Sequence, residues 1–204
     1  MSARLTAVVL ASTLALVGCG NGPAKDAFKP LQAVAMRLTG MGAAAVKAPA
    51  VKAGSGPALT LAVPTMGRQE RLRLLDRDGD VAVWLGSDGS QYFLRSGVLI
   101  GTRGLGADLM SATVPSPADL ARTPAEHLRA HHYLNGTDTS FVRNYRCTVA
   151  PAVEEKPSAA YHLIETCDSD VGRIENQYWL SRDLHVIKSL QWVSQGVGYA
   201  AFLE

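Results

Sequence analysis

The chain has little excess charge of either sign, few cysteines and few aromatics, and these shortages narrow what it can be. Its 204 residues carry 20 Lys and Arg against 18 Asp and Glu, and aromatics make up only 6%. Basic residues are scattered and never interleave with aromatics in a run, so the electrostatic footprint of a nucleic-acid binder is absent. There is no C-x-x-C pair, no G-x-S-x-G elbow and no G-x-G-x-x-G run. The local signatures of thiol redox chemistry, a hydrolase nucleophile and a dinucleotide cradle are therefore missing. With 47% hydrophobic and 19% charged residues, composition is that of an ordinary folded domain, and the length suits one core rather than two.

Met1 to Arg4 form a short positive start and Leu5 to Val17 an apolar run. A permanent membrane helix needs roughly 20 apolar residues, so this run reads as a cleaved export leader. Leu16-Val17-Gly18-Cys19 resembles the lipobox of bacterial lipoproteins. That resemblance implies removal of residues 1–18 and a diacylglycerol thioether on Cys19; the alternative is an ordinary secretory leader with an incidental cysteine. Acyl chains contribute about 0.8 kcal/mol per buried methylene, so two or three of them anchor stably. Gly20 rather than Asp after the cysteine implies, by resemblance to known sorting rules, the outer membrane. Losing the leader removes one basic residue, Arg4, and leaves the remainder close to neutral.

Once Cys19 is assigned to lipid, Cys147 and Cys167 remain as an even pair in an oxidising compartment. They are expected to form a disulfide, contributing roughly 3 kcal/mol by chain entropy, with two buried free thiols as the alternative.

Residues 19–29 read as a polar tether and 30–204 as a single β-rich domain. Leu31, Val34, Ala35 and Leu38 predict a short N-terminal helix with Pro30 in its first turn and Gly40 beyond its end. The Ala, Gly, Pro and Lys of 42–57 predict a flexible segment. Strands are expected at 59–63, 71–75, 81–85, 92–95, 98–102, 128–134, 141–149, 161–167, 173–180, 185–193 and 199–203. Turns fall at Asp78-Gly79, Asp88-Gly89, Ser96-Gly97 and Asn135-Gly136. Thr123, Pro124 and Glu126 imitate a helix capping box, but the Asn-Gly turn and the β run behind it favour a strand after residue 127. Such a chain predicts a mainly β fold, an antiparallel meander forming a sandwich or a strongly curved, barrel-like sheet.

Few residues suggest chemistry. Asp76 to Asp80 lack the remaining ligands of a calcium loop and read as a hairpin. His127, His131 and His132 cluster without a further ligand, so no metal site is expected; on a strand the first two share a face and His132 takes the other. Trp84, Tyr178, Trp179 and Trp192 read as packing residues or as a stacking platform for sugar rings, with Tyr178 and Trp179 on opposite faces.

Two strings carry a family resemblance. The first runs Val81-Ala82-Val83-Trp84, Asp88-Gly89, Leu94-Arg95-Ser96-Gly97-Val98-Leu99-Ile100-Gly101-Thr102-Arg103-Gly104-Leu105-Gly106 and Asp108-Leu109. The second comprises Glu165-Thr166-Cys167, Asn176-Gln177-Tyr178-Trp179, Gln191-Trp192-Val193 and Gly198-Tyr199. Together they resemble the YjbF/GfcB family of exopolysaccharide and group 4 capsule lipoproteins across most of the mature chain. The departures are the 42–57 stretch and Ser189-Leu190 before Gln191, where the family pattern has an Arg.

The resemblance implies an outer-membrane lipoprotein of antiparallel β architecture, lipid-anchored and facing the periplasm. It would act without catalysis beside a polysaccharide-export system that includes an outer-membrane β-barrel, with no cofactor beyond the lipid. Arg103 and Asp108, with Trp84, Trp179 and Trp192, are the candidate contacts for a partner or glycan; Arg103 paired with Asp108 to fix the loop is the structural alternative. Two other functions compete. A lipid or acyl-chain carrier would need a large apolar cavity. A polysaccharide-modifying hydrolase or lyase would draw on Glu165, Asp168 and Asp170.

Overall fold

Alternation of inward apolar and outward polar side chains writes the fold, because each strand can bury only one face. The computed structural model describes residues 57–153 and 159–204. The leader, Cys19, the tether, the expected helix over 31–38 and all but the last residue of 42–57 lie outside the described residues.

The strands are β1 (Ala58–Val63), β2 (Arg68–Asp78), β3 (Val81–Leu85), β4 (Gln91–Arg95), β5 (Val98–Arg103), β6 (Ser111–Thr113), β7 (Ala125–Leu134), β8 (Ser140–Pro151), β9 (Tyr161–Ser169), β10 (Gly172–Leu180), β11 (Val186–Ser194) and β12 (Gly198–Leu203). They form one antiparallel sheet in the order β5-β4-β3-β2-β1-β12-β11-β10-β9-β8-β7-β6. Two meanders are thus joined where the first described strand pairs with the last, Leu61 opposite Phe202. The free edges then approach: Thr102 N–H donates to Leu109 O at 2.7 Å and Met110 N–H to His132 O at 2.9 Å. The sheet is a nearly closed barrel, which resolves the choice between sandwich and curved sheet and shields the exposed edges that such strands would otherwise present.

Eleven expected strands occur, mostly longer than the sequence indicates. The three-residue β6 was missed because it is too short to show alternation. Also missed was a single helical turn, α1 (Pro117–Ala121), one segment before the apparent capping box at Thr123. Its cap is Ser116, whose Oγ accepts from Asp119 N–H. Asn135-Gly136 does turn the β7–β8 hairpin, but not as a two-residue loop: Asn135 Oδ1 accepts from Thr137 N–H and Thr139 N–H.

Three apolar clusters occupy most of the interior, beside a depression of about 190 Å³ that reaches Leu59, Trp84, Leu94 and Phe202. One apolar cluster centres on Leu61, Leu72, Tyr92 and Phe202, a second on Leu120, Leu163, Tyr178 and Leu180, and a third on Tyr145, Ile174 and the cysteines. Gln191 crosses between the walls. Its Oε1 accepts from Leu99 N–H at 2.8 Å and its Nε2 donates to Gly97 O at 2.9 Å, so a side chain on β11 completes the free edge of β5. Gly97 sits at φ +86 and a Cβ there would meet Val186 Cβ at 2.6 Å, so the contact needs glycine on both counts. Cys147 and Cys167 are directly opposed on β8 and β9 and form a disulfide.

Gln191→Ala strands the buried Leu99 N–H, worth about 1–3 kcal/mol, and frees the half-buried Gly97 carbonyl. Chemical denaturation should show a loss within that range or above, and hydrogen exchange at the Leu99 amide should accelerate selectively. Replacing both Cys147 and Cys167 by Ser should cost roughly 3 kcal/mol, and thiol titration of the unreduced, denatured chain should find neither residue reactive.

Candidate functional site

The inward positions of β7, β9 and β10 bring charged groups into the barrel. Glu165 has no solvent-accessible side-chain surface and Arg129 has 3%, with Arg129 Nε 2.7 Å from Glu165 Oε1. His127 Nε2 lies 2.5 Å from the same oxygen. Asn176 Nδ2 donates to Oε2 at 2.7 Å, and the Tyr178 hydroxyl, itself accepting from Arg129 Nη2 at 2.8 Å, donates to Oε2 at 3.2 Å. Asn176 also accepts Trp192 N–H on its Oδ1 at 2.7 Å.

Burial alone would push the Glu165 carboxyl up. The Arg129 charge and the hydrogen bonds from His127, Arg129 and Asn176 outweigh that and hold it at about 2. Burial pushes the Tyr178 phenol up, well beyond its ordinary value. His131, next inward on β7, is lowered to about 3, first by burial and then by the Arg129 charge. His127 and His131 share the inner face while His132 is exposed.

This arrangement does not suit a metal ion. Ligand atoms of His127, Cys147 and Glu165 lie within 4.8 Å of one another. However, the Cys147 sulfur is in the disulfide and Arg129 already occupies the carboxylate. Nor does it suit acid catalysis: a carboxylate fully ionised at neutral pH, with no solvent contact, has no proton to give. Asp168, exposed on β9, is held by both Nε and Nη2 of Arg173. Of the acids considered from sequence, Glu165 is thus enclosed and Asp168 is tied up at the surface, so these two do not flank one cleft.

The Thr-Arg-Gly-Leu-Gly-x-Asp-Leu segment is a loop folded on Asp108. The Asp108 carboxylate accepts from Thr102 Oγ1 at 2.8 Å, Gly104 N–H at 2.9 Å and Leu105 N–H at 3.2 Å, and Thr102 Oγ1 accepts from Leu109 N–H. Gly104 and Gly106 take φ +90 and +86, and Ser194 Oγ donates to Ala107 O, tying the loop to β11. Asp108 is thus spent on the backbone, and its partner is not Arg103. Arg103 is exposed and has no ion-pair partner among the described residues.

Of the three tryptophans, Trp84 is 5% exposed in the first core cluster. Trp179 points outward, but His162 stacks on it at 4.1 Å and Lys188 Nζ sits 4.0 Å from its ring centre, which leaves no open face for a sugar. Trp192 lines an opening beside Gln195, and Trp84 edges a separate depression with Leu94, Ser96 and Lys188. The β10–β11 pairing begins at Gln177 opposite Leu190. Beyond it the strands part, and Tyr199 Oη takes the N–H of Glu175.

A family model described as group 4 capsule polysaccharide lipoprotein GfcB, YjbF matches residues 31–202. The chain belongs to this family. Its fold is similar to that of the hypothetical lipoprotein YmcC from Escherichia coli K12, at 20% identity and a TM-score of 0.61, over 72% of this chain and 83% of that one. No curated protein sequence matches it. The family description makes sense of the two sequence strings: the first builds the Asp108 loop, and the second supplies Glu165, Asn176, Tyr178 and Gln191. Arg129, which completes the buried cluster with His127, carries no local sequence signal, because only strand register places it on the inner face above β9, and His127, considered from sequence as a metal ligand, meets the Glu165 carboxylate instead.

The pKa directions fix an acid response. His131 is lowered below its ordinary 6.5, so the unfolded chain binds its proton first and stability falls as pH drops below about 6.5. Glu165 is lowered from 4.5, so its contribution is complete above that pH and is lost as pH falls toward about 2. Thermal melts across this range should show two successive declines; His131→Phe should remove the upper one.

Proposed function

We propose that this family member is an outer-membrane lipoprotein, anchored through acylated Cys19 and facing the periplasm, that assists capsule or exopolysaccharide assembly or export without catalysing a reaction. It would work beside export proteins that include an outer-membrane β-barrel. The observation that carries the reading is the family match over 31–202, with its description as a capsule polysaccharide lipoprotein. The Leu16-Val17-Gly18-Cys19 sequence supports the anchor.

The interior weighs against the competing functions. An acyl chain would have to displace Gln191, Tyr178 and the Glu165–Arg129 pair, stranding buried polar groups at several kcal/mol each. A glycan hydrolase needs two carboxylates flanking an open cleft, whereas Glu165 is enclosed and Asp168 is tied to Arg173. A rigid barrel held near a membrane suits contact and guidance better than turnover.

Deleting the gene should lower cell-surface polymer. Re-expression of the natural sequence should restore it, while Cys19→Ser should leave the protein outside the membrane fraction and fail to restore it. Polymer unchanged in amount and composition after deletion contradicts the reading, as would new reducing or unsaturated ends when the protein is incubated with polymer.

A further inference from the structure

Where β10 and β11 part, the barrel opens into a mouth whose lining is unlike the rest of the interior. Strand alternation turns Tyr133 on β7 and Phe141, Arg143 and Tyr145 on β8 toward the same inner face, with Tyr133 opposite Phe141. Trp192 enters from β11, and Gln195 follows it at the rim. The space continues past the β9–β10 turn as an open depression of about 280 Å³. Phe141 is 39% exposed and lies 5.6 Å from Tyr133, ring centre to ring centre, while Trp192 meets Tyr199 edge-on at 5.1 Å.

One arginine in this mouth has no ion-pair partner among the described residues. The lining of the mouth includes arginines and no carboxylate. Arg173 is already held by Asp168, and Asp170 lies in the adjoining β9–β10 turn. The Arg143 guanidinium lies 5.9 Å from the Phe141 ring centre and has no ion-pair partner among the described residues. It differs in this from Arg129, deeper in the same barrel, which is fully paired.

We propose that this mouth binds a segment of acidic polysaccharide. The C–H face of a pyranose ring packs on Trp192 and against the exposed edge of Phe141, whose faces meet Tyr133 and Arg143, a sugar carboxylate takes the Arg143 fork, and the Gln195 amide meets hydroxyls. Aromatic rings supply apolar area at little entropic cost. A guanidinium pairs with a carboxylate through two parallel hydrogen bonds, a geometry that a lysine lacks. Barrel mouths with a few convergent polar groups are common ligand sites. The inference deepens the accessory role proposed above and rests on it for the presence of a polymer.

The test is calorimetric titration of the detergent-solubilised full chain, at low ionic strength, with short oligogalacturonate and with a neutral galactan oligosaccharide of equal length. The acidic probe should bind and quench tryptophan fluorescence, and the neutral one should bind at least about tenfold more weakly. Arg143→Gln should weaken the acidic probe by a similar factor and abolish the preference, while Arg95→Gln, which removes an exposed charge outside the mouth, should not. Phe141→Ala should weaken both probes; near-ultraviolet circular dichroism verifies that each variant keeps its fold. Equal affinity for the two probes, binding of neither, or an Arg143→Gln variant that binds like the natural chain overturns the proposal. Loss of surface polymer on deletion, together with no oligosaccharide binding, would keep the accessory role and remove this site.

Discussion

A carboxylate without solvent contact sits inside the barrel, and the surrounding strands are arranged to keep it charged. Burying an ion costs several kcal/mol unless paired and hydrogen-bonded, so Glu165 tolerates its position only because donors from β7 and β10 converge on it. Tyr178 lies 3.4 Å from Gln191 Oε1, and Gln191 in turn holds β5. The chain of contacts runs from one wall of the barrel to the other. A slip of any of these strands by one residue would point its partner outward and leave the charge bare, so the cluster specifies register more than it adds stability. The disulfide, one inward position along β9 from Glu165, locks the neighbouring β8–β9 pair in the same register.

Most of the strands were legible because alternation and turn residues are local properties. The closure was not: nothing in the sequence of Leu59 or Phe202 says that the first described strand pairs with the last. The family strings drew attention to Glu165, Asn176, Tyr178 and Gln191 without showing that they meet. Glu165 read equally well as a catalytic acid, since sequence carries no information on what encloses a side chain. Arg129 passed unnoticed between histidines that drew attention as metal ligands. Asp108 drew attention in the sequence as a contact residue, whereas the structure shows its oxygens holding the backbone of its own loop.

The interior and the mouth divide the labour between them. Inside, the buried Glu165–Arg129 pair is matched and three apolar clusters pack around it, which gives a stiff body. At the open end aromatic rings and Arg143, which has no ion-pair partner among the described residues, line the mouth. Such stiffness would suit the accessory role proposed above, because a preformed surface loses less entropy on contact.

The most direct test of this account is a double-mutant cycle on Glu165→Gln and Arg129→Met, read by denaturant unfolding. Each single change should destabilise the domain by about 3–5 kcal/mol, since it leaves a buried partner uncompensated. The double variant should recover much of that loss and still restore surface polymer. Single variants that fold with natural stability yet fail to restore polymer would contradict a structural role for the pair and return Glu165 to the list of reactive groups.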